Sequence, residues 1–150
     1  MRNIGYTLWY NIEMALPEKE SFTRYFEDAR FRNGVDGLFQ RIENPVDEFS
    51  GTNGLSVEKF HQDAPVWTLK WGVGFQRMIQ IAAELGDVGK PSLSFLAYAY
   101  WDRPLTPREF SKFIVLGYVD DPLLDEFPNL PLELLTRAFH SANNIRSHEQ

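Results

Sequence analysis

Hydrophobic side chains recur along this chain at two periods, and the switches between them outline its elements. Ile4, Tyr6, Leu8, Tyr10, Ile12 and Met14 occupy alternate positions, which predicts a long first strand with one buried face. Pro17 and the acidic Glu18 and Glu20 then suit a first helical turn. Phe22, Tyr25, Phe26 and Ala29 follow at spacings of three and four, so a helix is predicted from Pro17 to about Arg30. Asn33-Gly34 and Asp36-Gly37 read as turns, and Leu38 to Glu43 as a short peripheral strand closed by Asn44-Pro45. From residue 44 to residue 64 the periodicity is lost, and the segment is expected to be an irregular acidic loop with at most one helical turn over Ser56 to His61.

Val66 to Trp71 reads as a strand carrying Trp67, Leu69 and Trp71 on one side, broken by Gly72 and Gly74. Phe75, Met78, Ile79, Ala82 and Leu85 recur at helical spacing, and Gly86 sits where a helix would end. Leu93 to Trp101 has the best strand signal. Only Ser94 in it is frankly polar, which places the strand near the middle of a sheet rather than at its edge. Asp102-Arg103-Pro104 ends it, and Thr106-Pro107-Arg108-Glu109 has the form of a capped helix start. The helix is extended to about Leu116. The competing reading makes Lys112 to Val119 another strand, because Ile, Val and Tyr favour one. Asp120-Asp121-Pro122 then caps a short turn, Pro131 opens a final helix with Leu132, Leu135 and Phe139 facing the core, and the tail at 143–150 is expected to fray.

These elements predict one α+β domain over residues 1–150, with an about four-stranded, largely antiparallel sheet and three to four helices packed mainly on one face. With 43% hydrophobic and 15% aromatic residues, the chain can build that core without staples. It contains no cysteine, which excludes disulfides, thiolate zinc sites and cysteine nucleophiles and agrees with a reducing compartment. The N-terminal residues lack the continuous apolar core of a signal peptide, and no run approaches the ~20 apolar residues of a membrane span, so a cytoplasmic location is expected. The net charge of −6 divides into −4 over residues 1–64, +2 over 65–119 and −4 over 120–150. No basic stripe is present for phosphate, which argues against general nucleic-acid binding.

Four groups of residues are candidates for chemistry. Gly72-Val73-Gly74, between a predicted strand and a predicted helix with Arg77 close by, has the setting of an anion site. It lacks the third glycine of a dinucleotide fingerprint and the Gly-Lys-Ser/Thr of a Walker loop. Glu58, His61 and Asp63 could suit a metal or a general base, but a flexible loop supplies no second layer of contacts to hold a ligand, so a solvated acidic loop is the simpler reading. Tyr98, Tyr100, Trp101, Asp102 and Arg103 put hot-spot residue types at the end of a strand. Asp120, Asp121, Asp125 and Glu126 gather four acids in seven residues with Leu123, Leu124 and Phe127 between them, the combination that a basic partner surface would engage.

With no nucleophile, metal or cofactor motif in view, the expected function is a non-catalytic protein-binding module of the inhibitor or immunity type. It would neutralise a basic toxin or nuclease by occluding its cleft, with Asp120, Asp121, Asp125, Glu126, Asp47 and Glu48 supplying charge and Tyr100 and Arg103 at the rim. The alternative is a small-molecule-binding domain or small enzyme with an aromatic pocket walled by Trp67, Trp71, Tyr98 and Trp101 and an acidic ligand held by Arg77. A third reading is a subunit of a larger assembly, including a homo-oligomer, with an apolar patch on the Leu132 to Phe139 helix.

Overall fold

The computed structural model describes residues 19–101 and 112–146. In chain order these form α1 (Lys19–Glu27), α2 (Ala29–Asn53), β1 (Ser56–Lys59), β2 (Val66–Trp71), β3 (Phe75–Leu85), β4 (Pro91–Trp101), β5 (Lys112–Val119), α3 (Asp121–Glu126) and α4 (Leu130–Asn144). The strand predicted from Ile4 to Met14, the helix start at Thr106 and the last four residues of the tail lie outside the described residues.

The fold is α+β, with one antiparallel sheet of five strands in the order β1-β2-β3-β4-β5 among the described residues. In register, Trp67 pairs with Ile81, Ile81 with Phe95 and Leu93 with Val119. That face of the sheet meets Phe31, Val35, Leu38, Ile42 and Val46 of α2, Leu124 of α3, and Leu134, Leu135 and Ala138 of α4 in one core. The opposite face is buried too, through Val66, Met78, Gln80, Ala82, Leu96 and Tyr98. Phe22 of α1 packs with Val66 and Ala82 there, so α1 reaches around the sheet from the helical side.

Burial on both faces explains the largest error in the sequence reading. Phe75 to Leu85, expected as a helix, is the eleven-residue strand β3. Met78 to Ala83 are all buried, so polar residues have no face on which to alternate, and an apolar run of that length imitates a helix. Lys112 to Val119 likewise follows the competing reading and forms β5, not the end of a helix. Leu116 is an extra residue in β5, because Phe95 pairs with Gly117 and Leu96 with Val115.

The second correction is α2. Residues 33–43, expected as turns and a short strand, and 44–53, expected as loop, belong to a 25-residue helix. The Asp28 carboxylate caps it by accepting hydrogen bonds from the amides of Arg30 and Phe31 at 2.9 and 3.2 Å. Gly54, at φ 66°, ends it. Its buried side chains, Phe31, Val35, Leu38, Ile42, Val46 and Phe49, recur every three or four residues. Six such side chains at about 1.5–3 kcal/mol each outweigh the ~3 kcal/mol of helix disruption by an internal proline, here Pro45. The remainder of the expected irregular loop is β1 and a 3-10 turn at His61–Asp63.

Candidate functional site

The acidic residues singled out in the sequence sit on α2, on α3 and at the start of α3, where Arg41 and Lys59 collect them on two flanks of α2. Asp120 is committed to structure, its carboxylate accepting from the Leu123 amide at 2.9 Å to cap α3. Asp121 and Asp125 project from successive turns of α3, and both accept from the guanidinium of Arg41 on α2 at 2.8 Å. The hydrogen bonds that Arg41 donates to Asp121 and then to Asp125 push its pKa above its already high ordinary value. Glu48 lies seven residues beyond Arg41, on the same exposed side of α2 two turns along. On the flank of α2 that faces β1, the Lys59 ammonium donates to Glu43 at 2.9 Å and lies 3.0 Å from Asp47. Burial alone would lower the Lys59 pKa, but the hydrogen bonds to Glu43 and Asp47 outweigh it and raise it. Asp121 and Asp125 thus share Arg41, Glu43 and Asp47 share Lys59, and Glu48 and Glu126 extend into solvent.

The other candidates are placed differently. Tyr100 is buried on the opposite face of the sheet with Met78 and Tyr98, away from the acids, and Arg103 lies outside the described residues. Of the aromatic side chains proposed as one pocket, Trp67, Trp71 and Tyr98 do not converge. Trp67 stacks on Phe39 of α2 at 4.7 Å, whereas Trp71 tilts onto Phe139 of α4 and donates its indole N–H to Asn143. Tyr98 stacks on Phe113 on the far side of the sheet, and Trp101 pairs with Phe75 at the end of β4. Arg77 is used to close a helix end: Nε donates to the carbonyl of Ala142 at 3.0 Å and Nη2 to that of Ile145 at 3.3 Å.

Gly72-Val73-Gly74 turns a hairpin between β2 and β3, so the helix N-terminus that an anion site required is absent there. A Cβ on Gly72 would meet the Phe75 carbonyl at 2.8 Å, and its φ of 107° suits glycine. His61 Nδ1 hydrogen-bonds Glu58, but no group of three acidic or histidine side chains with metal-binding geometry occurs among the described residues. On α4 the apolar patch reduces to Leu132, since Leu134 and Leu135 are buried and Phe139 packs on Trp71 and Phe49.

One site escaped the sequence reading. A groove of about 700 Å³ opens between α1, α2 and the turn that links β1 to β2. Phe26 and Phe60 flank it, Trp67 forms part of its floor, and Asp36, Glu43 and Asp63 supply carboxylates against a single cation, Arg32. The Tyr25 hydroxyl donates to Asp36 at 2.7 Å, and burial, reinforced by that bond, drives the tyrosine pKa well above its ordinary value. Arg32, Asp36, Gln40 and Glu43 are spaced as one helical stripe, legible in the sequence only once residues 29–53 are read as helix. Compared with known protein families, with characterised proteins and with solved structures, the chain finds no match.

Proposed function

We propose that this protein is a non-catalytic binding module of the inhibitor or immunity type, which neutralises a basic toxin or nuclease by presenting the acidic surface of α2 and α3 to its cationic cleft. The observation that supports this reading is the Arg41 bridge. It holds Asp121 and Asp125 against the flank of α2 that also carries Glu48, so acids far apart in sequence, Glu48 and Asp121 to Glu126, occupy one side of the helical layer. Such a layer steers a basic partner over a distance set by the Debye length, and apolar contacts near its edge, from Leu123 and half-exposed Phe127, supply short-range affinity. Arg41 and Lys59 keep the acids arranged before encounter, which reduces the cost of ordering them on binding.

The test is capture of partners on the immobilised protein at about 0.1 M and about 0.5 M salt, alongside a Glu48→Gln/Glu126→Gln variant. The reading requires a single basic protein, retained at low salt, weakened at high salt and lost with the variant. Retention that is indifferent to both salt and the two glutamates would sink it.

A further inference from the structure

The groove on the other flank of α2, next to Lys59, has a chemistry of its own. Its open sides are aromatic, from half-exposed Phe26 and from Phe60, and its rim carries Asp36, Glu43 and Asp63. Glu43 is matched by Lys59, and Asp36 accepts a neutral hydroxyl from Tyr25, while Asp63 has no ion-pair partner among the described residues. Arg32 donates one hydrogen bond to a backbone carbonyl, that of Tyr25 at 3.2 Å, and forms no ion pair among the described residues. The groove is therefore apolar in its walls and net negative at its mouth, a combination that stabilises an organic cation on an aliphatic stem.

The chain itself shows the same chemistry next door: the Lys59 ammonium lies 4.9 Å from the centroid of the Trp67 ring while bonded to Glu43 and Asp47. The wall formed by the β1–β2 turn is also strained. Phe60, Gln62 and Asp63 all have positive φ, at 53°, 52° and 62°, in a region that non-glycine residues occupy at a cost of about 1–2 kcal/mol each. That backbone sets the Phe60 ring edge-on to Phe39 and Trp67 at 5.1 and 5.7 Å and leaves Asp63 exposed at the groove. Strain of this kind persists where the surroundings hold it, and functional sites are one such place.

We propose that this groove receives an arginine or lysine side chain of a basic polypeptide, its stem against Phe26 and Phe60 and its charge met by Asp36 and Asp63. The inference deepens the basic-partner reading and rests on it for the source of the cation. At about 700 Å³ the groove has room for one such side chain with the adjoining backbone.

Amide NMR titration with a hexa-arginine peptide blocked at both ends, and with the same peptide built from neutral, nearly isosteric citrulline, tests it. The arginine peptide should shift the signals of Asp36, Phe60 and Asp63 and bind about tenfold or more tightly than the citrulline peptide, as expected for a charge-assisted contact. Asp63→Asn should weaken binding, and because asparagine tolerates left-handed φ, the turn should keep its shape. Arg32→Gln should tighten it, since this change removes the groove's own cation. Equal binding of the two peptides, weaker binding by Arg32→Gln, or no binding at millimolar peptide would each overturn the inference. Shifts confined to Glu48 and Asp121 to Glu126 would remove the groove and leave the acidic-surface reading standing. Groove shifts without any partner retained by the immobilised protein would do the reverse.

Discussion

Gly34 and Gly37 lie three residues apart in α2, and a local reading treats both as turn signals, yet their surroundings assign them opposite roles. A Cβ on Gly34 would come 2.5 Å from Cγ of Pro91, a stiff ring at the start of β4, so the missing side chain is what lets the helix approach the sheet. At Gly37 a Cβ would meet nothing within 4 Å. Gly37→Ala is therefore expected to stabilise by roughly 0.5–1 kcal/mol, through the lower backbone entropy of alanine in the unfolded chain. Gly34→Ala is expected to destabilise by about 1–3 kcal/mol, because overpacking against the proline outweighs the same helical gain. Thermal melts of the two variants should move in opposite directions. Tyr25 gives a second prediction at this scale. Its pKa is raised on folding, so the protonated phenol is favoured in the native state. The resulting stability is fully present below the ordinary tyrosine pKa of 10.0 and is lost as pH rises beyond it. Denaturant melts between neutral pH and pH 11 should show a steeper alkaline loss for wild type than for Tyr25→Phe; parallel curves would show that the Tyr25–Asp36 bond carries no such linkage.

Among the elements, α2 is where local and tertiary preferences compete most openly. Asn33-Gly34, Asp36-Gly37 and Asn44-Pro45 all speak for breaks, and each is overruled by a six-residue apolar stripe that only a continuous helix can bury. The stripe lies in the sequence, but three breaker dipeptides mask it. Pro45 lacks the N–H that would bond to the Arg41 carbonyl one turn earlier, so Pro45→Ala should restore that bond and raise stability by about 1–3 kcal/mol. Chemical denaturation is the measurement. A loss of stability instead would mean that the proline's packing, not its missing donor, governs the site. The hairpin at Gly72 to Gly74 illustrates the opposite case, in which the breakers were read correctly and the element after them was not. Glycines report where the backbone turns, whereas helix or strand beyond the turn is decided by what the next residues can bury.

Across the whole molecule, the proposed function depends on the placement of charge. The proposed function puts Asp121 and Asp125 against a basic partner. They remain exposed, but they are already paired with Arg41, so a partner must compete with or share that guanidinium. Reversing both acids to lysine should slow association with a basic partner by about tenfold or more, as for steering charges generally, and should leave the melting temperature nearly unchanged, since exposed, solvent-screened ion pairs add little to stability. Stopped-flow association against salt concentration tests the first part and calorimetry the second. An on-rate that does not respond would remove electrostatic steering from the reading.

The sequence by itself determined the fold class, β2 and β4 nearly to the residue, a capped turn at Asp120-Asp121-Pro122 and the final helix, because each rests on short-range chemistry: alternation, turn glycines, a proline at a helix start, a carboxylate before one. Only the tertiary structure decided that β3 and β5 are strands, because a strand covered on both faces loses the alternation that marks it. Tertiary contacts likewise kept residues 29–53 in one helix, drew Arg41 to Asp121 and Asp125 across some 80 positions, and sent Trp67 and Trp71 to different helices from one side of one strand. Contacts between residues so far apart depend on which faces meet, and a single chain read in order contains no term for that.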